Sequence, residues 1–358
     1  MINIAIIGVG LVGSELISQL QSHGIYHALR VVCLASSKRM LLDNSINLSQ
    51  WRKDLAETPT SLDFAELNRF LSSQTDPSIV IDCTSEQSVA ERYPSWLQQG
   101  IHVVTPNKKG FSGELSLFNE IYNPNNRGLV YHESTVGAGL PVINTLLDLV
   151  KTGDRVTRIE GIFSGTLSYL FNEFSSLSVA EERKFSEIVK TAKELGYTEP
   201  DPRDDLNGLD VARKVIICGR VAGVKLSLET LSVENIVPEA LRNVSSVNEF
   251  MTKLPEYDNQ FSEMNAHALA QNEVLRYVGV VDCLGKDSGV KLGRYPASHP
   301  FASLKGSDNI IKFTTQRFPN GLIIQGAGAG AAVTAFGIFS DILKVKERAI
   351  KVDAKTLA

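Results

Sequence analysis

The chain has 358 residues, of which 43% are hydrophobic and 21% are charged. This composition is ordinary for a globular protein with a sizeable core, and the length suggests two domains. The 36 Lys and Arg residues against 40 Asp and Glu give a net charge of −4, so the chain lacks the basic surplus that binds nucleic acid.

The cysteines and the N-terminus indicate a cytoplasmic protein. The four cysteines stand far apart with no CxxC pair, which argues against a disulfide scaffold or a zinc site and fits reduced thiols. The apolar segment after Met1 is too short for a signal peptide and has no basic region before it. Segment 318–340 has no charged residue, but proline and glycines interrupt it, so we predict a strand, a glycine loop and a buried helix rather than a membrane span.

The first predicted elements form a β-α-β unit. An apolar run over 3–8 predicts a strand, and apolar residues at helical spacing predict a helix over 14–22. A second apolar run over 29–34 predicts the following strand. The polar stretch 36–61 gives no clear prediction.

The turn between the first strand and the helix carries the pattern Gly8-x-Gly10-x-x-Gly13. The first glycine permits a tight turn, the second leaves room for a pyrophosphate, and the third allows close packing of helix and strand. The free N–H groups of the helix N-terminus suit the phosphates. We therefore predict a dinucleotide site that includes Leu11 and Val12, although a purely structural glycine turn has the same pattern.

The end of the second predicted strand bears on the choice between NAD and NADP. An acidic residue there would bind the ribose 2′-hydroxyl of NAD. The sequence instead has two cations, Lys38 and Arg39, at this position. They favour a 2′-phosphate and hence NADP, and a solvated basic turn is the alternative.

Three further apolar runs, over 78–83, 102–105 and 128–132, predict strands of the same sheet. The predicted helices between them are 89–99, with a break or restart at Pro94, and 114–122. Alternating strands and helices with short connections predict a parallel, doubly wound sheet, which is an α/β fold of Rossmann type.

Polar residues follow two of these strands. Thr84 and Ser85 lie where the carboxyl edge of an open sheet binds its ligand, so we predict that they face the cofactor. Cys83 beside them has no cation or helix start that would lower its pKa, so we expect an inert thiol. Lys108 and Lys109 end the next strand, where a lysine can meet a carboxylate or phosphate or share a proton path. A surface loop is the alternative for both lysines.

After residue 141 the pattern changes to a mixed α+β region. Helices are predicted over 142–151, 167–174, 185–195 and 206–221, and strands over 158–163, 273–281 and 309–313. Gly196 follows the third helix, where a left-handed cap needs glycine. The glycine-rich stretch 326–330 is either a second backbone cradle for the cofactor or a close-packing segment. The last helix begins near Ala331 and is uncharged as far as Ser340, so we expect it to be buried against the first domain.

A carboxylate-rich loop, 196–205, leads into a helix that holds Asp210 and Lys214. These two residues are four positions apart and share one helix face. As a surface ion pair they would contribute about 0.3 kcal/mol. In a closed pocket, neighbouring carboxylates would bind a substrate ammonium, and the lysine would act as a general acid/base on a carbonyl. The spacing alone leaves both alternatives open.

Taken together, the motifs resemble homoserine dehydrogenase, in the short monofunctional form found in fungi. The segments that carry the resemblance are Thr105 to Lys109, Tyr131 to Pro141, Gly161 to Tyr169, Leu195 to Lys214, Ser298 to Ala302 and Gly326 to Thr334. The resemblance covers nearly the whole chain and is weakest over 36–76 and 227–271. It implies NAD(P)-dependent interconversion of L-homoserine and L-aspartate 4-semialdehyde, in threonine, methionine and isoleucine biosynthesis.

The resemblance also implies roles for individual residues. Lys214 would be the acid/base residue, with Lys108 assisting at the reaction centre. Glu199 and Asp210 would hold the amino group of homoserine, with Asp205 nearby. The further residues implied at the sites are Thr166, Gly196 and Tyr197 for the substrate and Gly330 for the cofactor.

A monovalent cation site, usually sodium, is implied at Glu133 and the backbone carbonyls of Val136, Ala138 and Leu140. Oxygen ligands of this kind are what a hard cation prefers. His299 matches a family histidine, and in a turn before proline we expect it to be structural.

The resemblance further implies a homodimer and a domain plan. A dinucleotide-binding domain over 1–140 would be completed by the helix 331–358. A catalytic region would cover 151–271, and a dimerisation region would cover 141–150 and 272–330. Because the chain ends at its last helix and begins at its first strand, we expect neither a regulatory ligand-binding module nor an aspartate kinase.

Two other functions are compatible with the dinucleotide motif. Another Rossmann semialdehyde oxidoreductase would need Cys83 as its nucleophile. A non-catalytic dinucleotide sensor would have no need of Glu199, Asp210 and Lys214.

Overall fold

A computed structural model describes four segments of the chain, residues 1–22, 28–177, 183–285 and 287–356. The chain divides into two compact units. The first comprises Met1–Pro141 with Ala329–Ala358, and the second comprises Val142–Gly328.

Four of the predicted regions include residues outside the described part of the chain. The dinucleotide-binding domain 1–140 includes 23–27, the catalytic region 151–271 includes 178–182, the dimerisation region 272–330 includes 286, and the helix 331–358 includes 357–358.

The first unit is built on a six-stranded sheet. Its strands are β1 (Ile2–Ile7), β2 (Leu29–Ala35), β3 (Met40–Leu42), β4 (Ser78–Asp82), β5 (His102–Val104) and β6 (Val130–Tyr131). They lie in the order β3-β2-β1-β4-β5-β6, and all pair in parallel except β3, which is antiparallel to β2. Every residue of β1 and β4 is buried, as in a sheet that is covered on both faces. The predicted parallel, doubly wound sheet is confirmed.

Helices cover this sheet. Those between its strands are α1 (Leu11–Ser22), α2 (Trp51–Glu57), α3 (Phe64–Ser72), α4 (Gln87–Ala90), α5 (Tyr93–Gln98), α6 (Lys109–Ser112) and α7 (Leu115–Ile121). The break predicted near Pro94 is confirmed, because α4 ends at Ala90 and Pro94 occupies the first turn of α5, where its missing N–H costs no hydrogen bond. The stretch 36–61, which gave no prediction, contains β3 and α2, and Trp51 and Leu55 bury the inner face of that helix.

The second unit also contains a six-stranded sheet, which is mostly antiparallel. Its strands are β7 (Val156–Ile162), β8 (Ser232–Val233), β9 (Glu273–Asp282), β10 (Gly289–Pro296), β11 (Asp308–Thr315) and β12 (Leu322–Ala327), in the order β12-β11-β7-β9-β10-β8. Only β8 and β10 pair in parallel. Its helices are α8 (Val142–Lys151), α9 (Gly165–Phe174), α10 (Phe185–Glu194), α11 (Arg203–Leu206), α12 (Leu209–Val221), α13 (Val247–Lys253) and α14 (Asp258–Leu269). The mixed α+β character predicted for this half is confirmed.

The helix predicted over 206–221 is wrong in its first turn. Gly208 has a φ of 77°, which is a left-handed conformation, so α11 ends at Leu206 and α12 begins at Leu209. A Cβ at Gly208 would overlap the hydroxyl of Tyr277, which donates a hydrogen bond to the carbonyl of Glu234 at 2.5 Å. Glycine is therefore required here both by the backbone conformation and by a neighbouring side chain.

The last helix, α15 (Ala331–Thr356), belongs to the first unit. The expectation that 331–340 is buried is only partly correct. Ala335 and Ile338 lie in the core that also contains Ile17 of α1, whereas Phe336 is 57% exposed, because an amphipathic helix buries one face. Over 1–22, 28–177, 183–285 and 287–356, no helix has both the length and the apolar character that crossing a membrane requires.

His102 at the start of β5 is a buried, neutral histidine. Its Nδ1 accepts a hydrogen bond from the N–H of Leu129 at 2.9 Å, and burial lowers the pKa of the ring to about 4. The unfolded chain protonates this ring near pH 6.5, so the unfolded state binds the extra proton first as the pH falls. The free energy of unfolding is therefore expected to decrease between pH 6.5 and 4, by about 2 kcal/mol from this residue at pH 5.

Chemical denaturation at pH 7.5 and pH 5 measures this contribution. We expect His102→Asn to lose less stability on acidification than the wild type, while His267→Asn, at an exposed position of α14, behaves as the wild type. Equal acid sensitivity of all three proteins would show that His102 is not the source.

Candidate active site

The turn between β1 and α1 has the geometry that the glycine motif predicts. Gly8 has a φ of 90°, and a Cβ there would lie 2.8 Å from Cγ2 of Thr84 and 3.0 Å from the carbonyl carbon of Cys83. A Cβ at Gly13 would overlap the carbonyl of Gly8, so this glycine permits close packing of α1. A Cβ at Gly10 would meet no atom of the described residues within 4 Å. Open space therefore adjoins the first N–H groups of α1, where a pyrophosphate binds in such folds.

Lys38 and Arg39 lie beside this turn. They follow β2, whose Ala35 is paired with the end of β1, and the carbonyl of Ala35 accepts the N–H of Gly8 at 2.8 Å. The hydroxyl oxygen of Ser36 accepts the N–H groups of Lys38 and Arg39 at 3.3 and 3.0 Å and so shapes the basic turn. Both side chains are exposed, as a site for a 2′-phosphate requires.

The other residues predicted to contact the cofactor lie at the ends of elements of the first unit. Leu11 is 80% exposed although it is apolar, and Val12 beside it is half-buried. Ser85 is exposed in the loop after β4. Gly330, with a φ of 112°, immediately precedes α15.

Asp82 organises the loops at the carboxyl edge of the sheet. Its buried carboxylate accepts hydrogen bonds from the N–H and hydroxyl of Thr84 at 2.8 and 2.6 Å, from the hydroxyl of Tyr93, and from the amide of Asn107 at 2.9 Å. The hydroxyl of Thr105 donates to the Asp82 carbonyl at 2.8 Å. Burial raises the pKa of this carboxyl, although the hydrogen bonds oppose the shift. The loops after β4 and β5 are thus fixed to a single side chain.

No role for Asp82 was predicted from the sequence. The available signal was one acidic residue at the end of an otherwise apolar, buried run. Its partner Asn107 also accepts the N–H of Lys109 at 3.0 Å, which positions the start of α6 and the half-buried Lys108 before it. Lys108 and Lys109 therefore lie in an ordered turn.

The surroundings of Cys83 agree with the expectation of an inert thiol. Burial raises its pKa, and the negative charge of Asp82 raises it further. A nucleophilic cysteine needs the opposite shift. The geometry therefore disfavours an oxidoreductase that would use Cys83 to form an acyl intermediate.

Lys214 on α12 is largely buried, with a side chain that is 11% exposed. Its Nζ lies 2.8 Å from Oδ2 of Asp210 and donates to the carbonyl of Phe163 at 2.7 Å. The amide of Asn309 donates to the same carbonyl at 3.1 Å. The predicted pair is confirmed, and the burial of the lysine excludes a simple surface ion pair. An ammonium has three hydrogens, so these two contacts leave one hydrogen for a further acceptor.

The acidic loop before α12 is arranged around Asp205. The hydroxyl of Thr166, at the start of α9, lies 2.9 Å from Oδ1 of Asp205 and 2.6 Å from the carbonyl of Tyr197. The N–H of Glu199 donates to Oδ2 of Asp205 at 2.8 Å, and the Glu199 side chain is exposed. Burial raises the pKa of Asp205, and the negative charges of Glu199 and Asp210 raise it further, against the hydrogen bonds. Asp205 thus joins α9 to the loop that presents Glu199.

Gly196 ends α10 as predicted. Its φ of 73° is left-handed, and its N–H donates to the carbonyl of Lys193 at 3.1 Å. Tyr197 follows and is 45% exposed, and its ring centroid lies 4.8 Å from that of Tyr169.

His299 lies in a turn, where its Nδ1 accepts the N–H of Phe301 at 3.2 Å, which supports a structural role.

The loop 133–140 in the first unit carries the residues predicted to bind a cation. Glu133 is 2% exposed, and its N–H donates to the buried carboxylate of Asp341 on α15 at 2.9 Å. Gly137 and Ala138 both have left-handed conformations, with φ of 76° and 55°, so the loop turns sharply. A left-handed alanine is unusual and is held here by its surroundings.

The donor set of this loop suits a hard monovalent cation. The buried carboxylate of Glu133 accompanies several backbone carbonyls, and the carbonyls of Glu133 and Gly137 accept the N–H groups of Val136 and Leu140 at 3.3 and 2.9 Å. The resemblance implies the carbonyls of Val136, Ala138 and Leu140 as ligands. None of these three is one of the two hydrogen-bonded carbonyls. In the described part of the chain, no three His, Cys, Asp or Glu side chains cluster as a transition-metal site would require.

Comparison with protein families gives matches to both units. A family model described as homoserine dehydrogenase matches residues 141–343, and one described as the NAD binding domain of homoserine dehydrogenase matches residues 8–131. Homoserine dehydrogenase of Saccharomyces cerevisiae is 47% identical over 355 residues, which cover 97% of this chain and 99% of that protein.

Solved structures resemble the chain over almost all of its length. The crystal structure of a protein of unknown function from Candida auris has a TM-score of 0.92 and 48% identity, over 97% of this chain and 98% of that one. A hyperthermophilic archaeal homoserine dehydrogenase mutant in complex with NADPH has a TM-score of 0.72 and 25% identity, with the same coverage.

Proposed function

The chain belongs to the homoserine dehydrogenase family, and from this premise we propose that it interconverts L-homoserine and L-aspartate 4-semialdehyde. Membership makes it an NAD(P)-dependent oxidoreductase. The observation that carries the substrate assignment is the largely buried Lys214 paired with the half-exposed Asp210, next in sequence to the acidic loop of Glu199. The oxidation of an amino alcohol requires a group that can move the hydroxyl proton. It also requires carboxylates that can bind the ammonium.

The proton is moved by Lys214. A nicotinamide dinucleotide held at the glycine turn of Gly8, Gly10 and Gly13 would supply the hydride chemistry at the hydroxyl-bearing carbon of homoserine and at the aldehyde carbon of the semialdehyde. In oxidation Nζ of Lys214, as the neutral amine, takes the hydroxyl proton, and in reduction the ammonium donates a proton to the oxygen of the forming alkoxide. Asp210 and the carbonyl of Phe163 hold Nζ in place, which supplies the positioning that such a transfer needs.

The substrate ammonium is bound by Glu199 and Asp210. Asp205 supports this site through the hydroxyl of Thr166 and the N–H of Glu199, so it positions the loop instead of reacting. Gly196 and Tyr197 complete the proposed substrate site, and Lys108 is proposed to assist the reaction.

Homoserine-dependent reduction of NADP and NAD, followed by the absorbance of the reduced nicotinamide, tests the proposed function. We expect turnover with L-homoserine and far less with L-serine, whose hydroxyl is one carbon closer to the ammonium. No turnover with either cofactor would contradict the assignment.

We propose that NADP is the preferred cofactor, held by Lys38 and Arg39 at the end of β2. Charge-assisted hydrogen bonds to a phosphate contribute about 1.5–3 kcal/mol. Replacing both residues by glutamine is therefore expected to raise the KM for NADP at least tenfold and to leave the KM for NAD unchanged. The exposed pair Arg52 and Lys53 on α2, replaced in the same way, controls for the change in net charge. Equal effects on both cofactors would favour a solvated basic turn.

We also propose a sodium ion at Glu133 and the carbonyls of Val136, Ala138 and Leu140. Exchange of sodium chloride for choline chloride at constant ionic strength is expected to lower activity. Glu133→Gln is expected to remove this sodium dependence, because the site loses its only side-chain charge among the four proposed ligands. An activity that is independent of sodium in the wild type would contradict the site.

The assembly and the setting are proposals as well. We propose a homodimer paired through 141–150 and 272–330. The edge strand β12, where Ile323 is 39% exposed, supports this proposal, and sedimentation equilibrium tests the dimer.

The catalytic region is proposed over 151–271 and the dinucleotide-binding domain over 1–140 with 331–358. A cytoplasmic location is supported by four free cysteines and is tested by microscopy of the tagged chain. A role in threonine, methionine and isoleucine biosynthesis is tested by complementing a homoserine auxotroph.

A further inference from the structure

A cavity of about 930 Å³ lies at the amino ends of β4 and β5, at the edge of the parallel sheet opposite the glycine turn. Ser78 and His102, the first residues of these two strands, line it. Asp82, at the other end of β4, lies about 13 Å away along the strand, at ~3.3 Å per residue. The cavity is therefore separate from the dinucleotide site proposed in the same unit.

The charges at the cavity favour an anion. Arg127 and Arg348 line it, and both side chains are exposed. The acidic residue of the wall is Asp76, whose carboxylate lies 3.0 Å from Nη2 of Arg30 and 3.4 Å from the N-terminal ammonium of Met1. These two cations compensate the charge of Asp76, so the guanidinium groups give the cavity a positive character.

Two uncharged hydrogen-bond donors stand in the same wall. His102 accepts the N–H of Leu129 at Nδ1, so its neutral ring carries the hydrogen on Nε2. Ser78 is 4% exposed, and its hydroxyl has no hydrogen-bond partner among the described residues. A buried hydroxyl without a partner is costly in a native protein, so a polar group that enters the cavity beside Ser78 would stabilise it.

The rest of the wall includes apolar side chains. Leu71, Pro77, Ile101 and Leu129 line the cavity beside the polar groups. Small-molecule sites typically combine a mainly apolar wall with a few polar groups that fix the orientation of the ligand, in volumes of roughly 300–1,000 Å³.

We propose that this cavity is a second ligand site, which binds a small organic carboxylate with an apolar body. The carboxylate is held by Arg127 and Arg348, with His102 and Ser78 as further donors, and the apolar body packs against Ile101 and its neighbours. None of these residues belongs to the sites proposed for homoserine, the dinucleotide or the cation.

Binding of phenylacetate, compared with phenylacetamide, tests the proposal on the full chain. The two probes have the same shape, but only the first carries a charge. With isoleucine δ-methyl groups labelled, we expect saturable shifts of the Ile101 signal with phenylacetate, none with phenylacetamide at equal concentration, and none at Ile323 in the second unit.

Variants of the two arginines complete the test. Arg127→Gln with Arg348→Gln is expected to raise the dissociation constant of phenylacetate at least tenfold, while Arg52→Gln, at an exposed position that does not line the cavity, leaves it unchanged. Homoserine turnover is expected to be the same in all of these proteins. An Ile101 signal that does not respond to phenylacetate, that responds equally to the amide, or that titrates equally in the double variant would overturn the proposal.

Discussion

Replacing Lys214 by alanine is expected to lower the turnover of homoserine by about 10²- to 10⁴-fold, the range lost when a general acid/base is removed. The lysine is held between Asp210 and the carbonyl of Phe163, and an alanine at this position has no group that can move the proton. Initial rates with saturating NADP, and with NAD, measure the loss. The decrease is expected mainly in kcat, because the proton moves in the transition state.

Two further variants distinguish proton transfer from loss of charge or of folding. Lys214→Arg keeps a cation that does not deprotonate at working pH, so it is not expected to restore turnover. Lys190→Ala, at an exposed position of α10, is expected to be fully active. If Lys214→Ala kept wild-type turnover, the assigned acid/base residue would be wrong although the substrate assignment would stand.

The catalytic pair illustrates which contacts a sequence can predict. Residues four apart on a helix share a face, so the Lys214–Asp210 pair follows from local geometry. The third partner, the carbonyl of Phe163, is 51 residues away on the segment between β7 and α9. Local spacing carries no information on such a contact, because it depends on how the sheet of the second unit places that segment beside α12.

The dinucleotide site also contains some features that local sequence predicts and others that depend on distant segments. The glycine turn was predictable because each glycine answers a local requirement for conformation or space. The role of Asp82 was not predictable, because it depends on contacts with Tyr93 and Asn107, which belong to other elements. Gly208 was missed because a helical hydrophobic pattern runs through it, and its left-handed turn is matched by Tyr277 from β9.

Arg276 on β9 is a further residue that the sequence does not single out, and its replacement has the largest expected effect on stability. The residue is 2% exposed, and its guanidinium donates to the carbonyls of Phe301, Phe171, Ser175, Leu275 and Ala302 at 2.7–3.2 Å. Burial lowers its pKa to about 10, so the group is still charged at neutral pH. It joins β9 to the end of α9 and to the turn after β10.

Arg276→Met is expected to lower the free energy of unfolding by about 3–5 kcal/mol, because the substitution keeps the apolar stem but leaves buried carbonyls without donors. Denaturant unfolding measures the loss, and Arg294→Met, at an exposed position of the neighbouring strand β10, is the matched control. Arg276→Lys is expected to recover little, since one ammonium cannot reach carbonyls that diverge around a planar guanidinium. A loss below about 1 kcal/mol in Arg276→Met would mean that water reaches these carbonyls, and the arginine would then be a surface contact rather than the centre of this junction.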